Sequence, residues 1–233
     1  MPIIRFIVPA LLFTLLPFWG QGQVYMGVQG GYTASKAKLM NPYQSTQMVY
    51  NSTLDYGLIF KYFNPNPNPN FLDERIAGVQ IELLTSPHGY RTRFSADDTV
   101  SIPEKHVSNY LMLPALAQFR IGIKKMVYFH INAGPYLSYI LKAQHGSMTN
   151  GKFDMHPYKI NPLRDNRFDY GIIAGVGISF DMFFGTLQAE FRYGYGLGDL
   201  YNVSYPGNHS QSPATFQSGT LSYMYRLKSR RNH

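Results

Sequence analysis

The sequence predicts an all-β fold: an eight-stranded antiparallel transmembrane β-barrel with long extracellular loops and short periplasmic turns. Three observations predict it. Apolar residues recur at every second position through eight separate runs, the period of a strand with two unlike faces. Several runs exceed the ~5–6 residues usual for strands in soluble proteins and reach the ~9–11 residues that cross a bilayer. The connections alternate between long polar segments and shorter turns, as in bacterial outer-membrane barrels with an even strand number.

The stretch from Asn109 to Lys142, NYLMLPALAQFRIGIKKMVYFHINAGPYLSYILK, gives the plan. On its first half Leu111, Leu113, Ala115, Ala117, Phe119 and Ile121 share one face, against Tyr110, Met112, Gln118 and Arg120. On its second half Val127, Phe129, Ile131, Ala133, Leu137, Tyr139 and Leu141 oppose His130, Asn132, Gly134, Tyr136 and Ser138. A short charged turn, Gly122 to Lys125, joins them into a hairpin. Pro114 and Pro135 cannot donate to a ladder, so bulges or strand ends are expected there.

The other runs follow in order. Val24 to Ala34 alternates Val24, Met26 and Val28 with Tyr25, Gln29 and Gly31. Thr53 to Phe63 alternates Leu54, Tyr56, Leu58 and Phe60 with Asp55, Gly57 and Lys61. Arg75 to Ser86 alternates Ala77, Val79, Ile81 and Leu83 with Gly78, Gln80 and Glu82. Phe168 to Met182 is the cleanest, with Ile172, Ala174, Val176, Ile178 and Phe180 against Gly171, Gly175, Gly177 and Ser179. Thr186 to Leu197 and Thr215 to Leu227 complete the set. Loops are expected at 35–52, 87–107, 143–167 and 198–213, and turns at 64–74, 122–126 and 183–185. The 64–70 segment reads NPNPNPN, an extended spacer that proline keeps out of any ladder. A lipid-exposed sheet must close, because an open edge leaves backbone groups unpaired in hydrocarbon.

Composition narrows the function. The 233 residues contain no cysteine, which excludes a disulfide scaffold and a thiolate metal site. Aromatic residues make up 15%, as do charged ones, a balance that suits a barrel with aromatic girdles. The formal charge of +8 is dispersed and carries no nucleic-acid motif, so no nucleic-acid partner is expected. Arg5, the apolar run Phe6 to Trp19 and the small residues at Gly20 and Gly22 read as a secretory signal peptide. Residues 1–22 are therefore expected to be removed, leaving 23–233 as a single barrel domain in the cell outer membrane, with outer-membrane lipid as its surroundings.

The faces that alternate inward hold Glu82, Gln118, Arg120, His130, Glu190 and Arg192. An eight-stranded interior is only wide enough for side chains to fill, and buried charges need partners. These six residues are thus expected to form an interior polar network, with Glu82 pairing Arg120 and Glu190 pairing Arg192. Lys124, Lys125, Lys228, Arg230 and Arg231 fall on the turn side. They form a candidate surface for a periplasmic partner, or for anionic head groups. No cofactor is expected. His88, His106, His145 and His156 lie in the expected loops; no two histidines stand at i, i+2 or i+4, and no metal centre is predicted. His145 and Ser147 make an H-x-S pair of the kind a barrel esterase uses, His activating Ser as nucleophile. The acid that should orient the histidine has no diagnostic position, and no catalytic residue is assigned.

Three segments in order, GVQIELLTSPHGYRT (78–92), NYLMLPALAQFRIG (109–122) and NAGPYLSYILKA (132–143), continued by DYGIIAGVGISF and LQAEFRYGYGL, resemble the PorT-family outer-membrane β-barrels. The resemblance covers most of the chain after the leader. It implies an eight-stranded outer-membrane barrel, and its founding member is associated with type IX protein secretion. The expectation is a non-enzymatic barrel, an accessory subunit of an envelope protein complex or a surface-loop binding module. A lipid A-modifying barrel esterase built on His145 and Ser147 is the alternative.

Overall fold

A computed structural model describes residues 23–37, 47–63, 77–93, 104–124, 126–149, 152–199 and 213–227. The expected leader 1–22, the NPNPNPN spacer, Lys125, Lys228, Arg230 and Arg231 lie outside the described residues. At Lys124 only the backbone is described.

Nine strands form: β1 Gln23–Ala37, β2 Gln47–Phe63, β3 Ala77–Arg93, β4 Glu104–Lys124, β5 Val127–Thr149, β6 Lys152–Tyr158, β7 Phe168–Met182, β8 Gly185–Asp199 and β9 Pro213–Leu227. Eight of them make the ring, in the order β4-β3-β2-β1-β9-β8-β7-β5, and β4 pairs with β5 to close it. Every pairing is antiparallel. β6 is the ninth strand. It stands outside the ring, hydrogen-bonded to the far end of β5 from Ala143↔Tyr158 to Thr149↔Lys152.

The alternation in the sequence becomes an inside and an outside. Val28, Leu54, Leu58, Leu113, Ile131, Ile172, Val176 and Leu221 are exposed on the outer wall. Phe129, Phe180, Tyr223 and Tyr225 ring the turn side of that wall, and Phe168, Tyr170 and Tyr195 the loop side, the two girdles of a membrane barrel. The interior is polar at mid-height, where Gln29, Lys61, Gln80, Glu82, Gln118, Gln188 and Arg192 are buried, with smaller apolar clusters on either side of it. A soluble barrel would reverse these faces.

Two expectations are corrected. Pro114 and Pro135 sit in mid-strand, at neither a strand end nor a bulge, since the register is the same on both sides of each gap. The ladders skip past them: β3–β4 passes from Ile81↔Ala115 to Leu84↔Met112, and β4–β5 from Pro114↔Tyr136 to Ala117↔Ala133. The missing donors thus fall where pairing is already interrupted. The loops expected at 87–107 and 143–167 are largely strand. β4 runs 21 residues and β5 runs 23, well beyond the ~9–11 a membrane requires. Outside the bilayer both faces of a strand are wet, so the apolar alternation that marks the spanning part is lost there.

Candidate functional site

The lumen is filled at mid-height by one arginine. Arg192 Nη1 and Nη2 donate to Glu82 Oε2 and Oε1, each at 2.6 Å, the bidentate geometry a guanidinium offers a carboxylate. Arg192 Nε donates to Glu190 Oε1, also at 2.6 Å. The remaining lone pairs are taken by amides. Gln29 Nε2 donates to Glu82 Oε2 at 3.4 Å and Gln80 Nε2 to Glu82 Oε1. Asn132 Nδ2 donates to Glu190 Oε1 at 2.5 Å, and Gln188 Nε2 to Glu190 Oε2 at 2.6 Å. Ser222 Oγ then donates to Gln29 Oε1 at 3.1 Å. Residues from β1, β3, β5, β8 and β9 are tied to one centre, so the network crosses the barrel from wall to wall.

Glycine makes the space. A Cβ at Gly177 would stand 2.6 Å from His130 Nε2, and one at Gly175 2.7 Å from Asn132 Oδ1. The inner face of β7 is bare there so that side chains from β5 and β8 can meet across it.

The six interior residues expected from sequence are all buried, but they do not form one network. Glu82, Glu190 and Arg192 are joined as described. His130 Nε2 stands 3.6 Å from Glu190 Oε2, outside hydrogen-bond reach. Gln118 accepts from Lys61 Nζ at 2.9 Å, and Lys61 also donates to Gln188. Glu82 pairs with Arg192, not with Arg120. Register is the reason: Glu82 follows the Ile81↔Ala115 pair, whereas Arg120 lies beyond Ala77↔Phe119. Arg120 instead stacks between the rings of Phe63 and Tyr128, 4.2 and 4.5 Å from their centroids. Its Nη1 is 3.8 Å from Asp181 Oδ2. Gln29, Gln188 and Asp181 were the partners missing from the sequence prediction, although their inward parity was already legible.

Above this network Leu84, Met112, Leu116, Tyr136, Ile173 and Phe216 pack into an apolar layer within the lumen. Tyr136 keeps its hydroxyl satisfied by donating to Asp169 Oδ2 at 3.1 Å. Beyond it lies the outer mouth. A cavity of about 70 Å³ opens there, lined in part by His88, Tyr90, His106, Tyr110, Tyr158 and Asp165. Its rim is built by the segment after β6. Asp165 accepts from the backbone N–H of Asn161 at 2.8 Å and from Tyr158 Oη at 3.0 Å. The backbone N–H of Ile140 donates to Arg167 O at 2.9 Å, which folds the segment back onto β5.

His145 and Ser147 lie on the outer extension of β5, opposite His106 and Glu104 of β4. No side-chain hydrogen bond joins Ser147 to His145 among the described residues. Of the turn-side cations, Lys124 ends β4, and the other four lie outside the described residues.

The family model described as outer membrane protein beta-barrel domain matches residues 19–202. The chain belongs to that family. Its members' name and the inside-out wall agree: this is a small β-barrel of the cell outer membrane. No curated protein matches the chain. Among solved structures, the outer membrane protein OprG from Pseudomonas aeruginosa is 13% identical, with 90% of this chain and 99% of that one covered and a TM-score of 0.47. The outer membrane protein AlkL, solved in lipid bilayers, is 13% identical over 92% of this chain and 94% of that one, with a TM-score of 0.48. Ail, the attachment invasion locus protein of Yersinia pestis, crystallised with the heparin analogue sucrose octasulfate, is 15% identical over 89% and 99%, with a TM-score of 0.41.

Proposed function

We propose that this protein, after removal of residues 1–22, is a non-enzymatic and non-conducting outer-membrane barrel that serves as a surface-facing binding module. The observation that carries the reading is the Arg192 centre. Its 2.6 Å contacts to Glu82 and Glu190 bridge a lumen that side chains alone can fill. A plugged barrel exchanges nothing through its axis, so recognition falls to its ends. The outer end is the elaborated one, with β4 and β5 overrunning the membrane, β6 added to them, and a cavity between.

Two assays test it. Ser147→Ala leaves the lipid A profile of the cell unchanged if the barrel is not an esterase; an altered profile contradicts the non-enzymatic reading. Native pull-down from mild-detergent outer membranes yields a lone barrel if it is a self-sufficient binding module. Stoichiometric recovery with other envelope proteins favours the second reading, an accessory subunit of PorT-family type in a secretion-related complex. That reading is supported by the run of PorT-like segments, and Lys124, Lys125, Lys228, Arg230 and Arg231 would be its docking surface.

A further inference from the structure

We propose that Glu104, His106 and His145 bind one divalent transition-metal cation of the Zn²⁺ class at the outer mouth of the barrel. The three side chains each offer a ligand atom, and these atoms all lie within 4.8 Å of one another. His106 Nε2 stands 3.6 Å from Glu104 Oε2. The His106 and His145 rings are 4.9 Å apart between centroids, inclined at 52°. Ligands at ~2.0–2.2 Å around a tetrahedral ion sit roughly 3.3 Å from each other, so small side-chain rotations close the set.

The fold produces this arrangement from two local rules. Glu104 and His106 are two apart on β4, so they share a face. His106 lies directly opposite His145 in the β4–β5 ladder, where Cβ atoms approach to ~4.5–5.5 Å. A register shift between Asn109 and Tyr110 turns the outer end of β5 by one residue, so that odd-numbered His145 shares the side of even-numbered His106. The His106 ring is held from behind by Tyr90, stacked at 4.9 Å and 21°. All three residues are half-buried, which lowers the local dielectric without closing the site to an ion.

The donor set selects the ion. Two imidazole nitrogens and one carboxylate oxygen suit Zn²⁺, Co²⁺, Ni²⁺ or Cu²⁺. Ca²⁺ and Mg²⁺ take mostly oxygen ligands. Three protein ligands leave a coordination position over, and His106 also lines the mouth cavity. His156 belongs to the same row, opposite His145 in the β5–β6 ladder. It is turned to Asp154, 3.4 Å away, and is 70% exposed; it is outside the set.

This site deepens the surface-binding reading and rests on it only for the side of the membrane it faces. Metal binding by the isolated barrel does not depend on that side or on the pull-down result, so the two readings fail separately. The experiment titrates Co²⁺ into the untagged mature chain folded in detergent, follows the visible d–d absorption, and displaces Co²⁺ with Zn²⁺. One Co²⁺ per barrel is expected. His106→Ala and His145→Ala each weaken binding by more than about 100-fold, beyond what losing a merely supporting residue costs. Glu104→Gln weakens it less, and His156→Ala leaves it unchanged. Each variant is first shown to be folded by its mobility shift between unheated and boiled SDS gels. Should an alanine variant not fold, the Zn²⁺-induced shifts of the His106 and His145 ring resonances in the wild-type chain replace it. Undiminished binding in His106→Ala or His145→Ala, loss of binding in His156→Ala, or ring shifts confined to other histidines overturns the assignment.

Discussion

The mid-barrel lumen and the outer mouth are built from the same strands and use opposite logic. In the lumen, Glu82 and Glu190 each have their oxygens taken by Arg192 and by amides of Gln29, Gln80, Asn132 and Gln188. All four carboxylate oxygens are engaged, and the centre ties five strands together across the lumen. In the mouth the strands no longer have to close over a narrow interior. There Glu104, His106 and His145 converge from two strands without a guanidinium between them, beside a cavity. The contrast teaches where to look for function in a small barrel. A satisfied buried network stabilises the wall that made it, whereas donor atoms gathered beside open space are available to bind.

The largest expected effect comes from breaking the lumen. Arg192→Ala strands two buried carboxylates, and breaking a buried pair this way costs about 3–5 kcal/mol. The denaturant midpoint of the detergent-folded barrel should fall accordingly. Replacing Arg192, Glu82 and Glu190 together by Met, Leu and Leu removes the orphaned charges as well and should recover much of the loss. If the triple variant is as unstable as the single one, desolvated charge is not the reason the centre matters.

The outer wall offers the next test. Val176 is exposed on β7 between Tyr170 and Phe180, near the middle of the lipid band. Val176→Arg should cost about 2–4 kcal/mol, the penalty for arginine at the bilayer midplane, measured by unfolding from lipid vesicles. Moving the same change to Leu163, 71% exposed on the rim, should cost almost nothing.

Gly177→Ala sharpens the lumen side further. Its methyl would stand 2.5 Å from the backbone oxygen of Ala189 and 2.6 Å from His130 Nε2, and overpacking of this kind costs typically about 1–3 kcal/mol. His130→Ala in the same chain should relieve part of it, and a double-mutant cycle reads the coupling. The smallest effect belongs to the mouth. Tyr158→Phe removes one hydroxyl from Asp165, a loss of about 0.5–1.5 kcal/mol that should appear as faster amide exchange at Asn161 and Asp165 while the barrel midpoint stays fixed.

Much of this organisation was legible in the sequence, for a physical reason. Lipid on one side and a narrow lumen on the other impose opposite polarities on successive residues, so every spanning run declared its faces. The parity of Glu82, Arg120, His130 and Glu190 was readable in that way. The Glu190–Arg192 pair, two residues apart on one face, was readable too; the partners of Glu82 and Arg120 were not, because their pairing depends on register between strands distant in sequence: Glu82 and Arg192 are 110 residues apart. β6 and the outer ends of β4 and β5 escaped because water bathes both faces there and no alternation survives. The metal-ligand set escaped for a related reason. A search for closely spaced histidines passes over Glu104 and His106, and His145 joins them only through the β4–β5 ladder and its register shift.

The most direct test of the central claim is planar-bilayer recording on the purified, folded wild-type barrel. If Arg192, Glu82 and Glu190 plug the lumen beneath the Leu84–Phe216 layer, the membrane shows no unitary conductance steps under applied voltage. Sustained, reproducible single-channel steps from the same preparation would mean that the axis is open, and would contradict the assignment of function to the outer mouth.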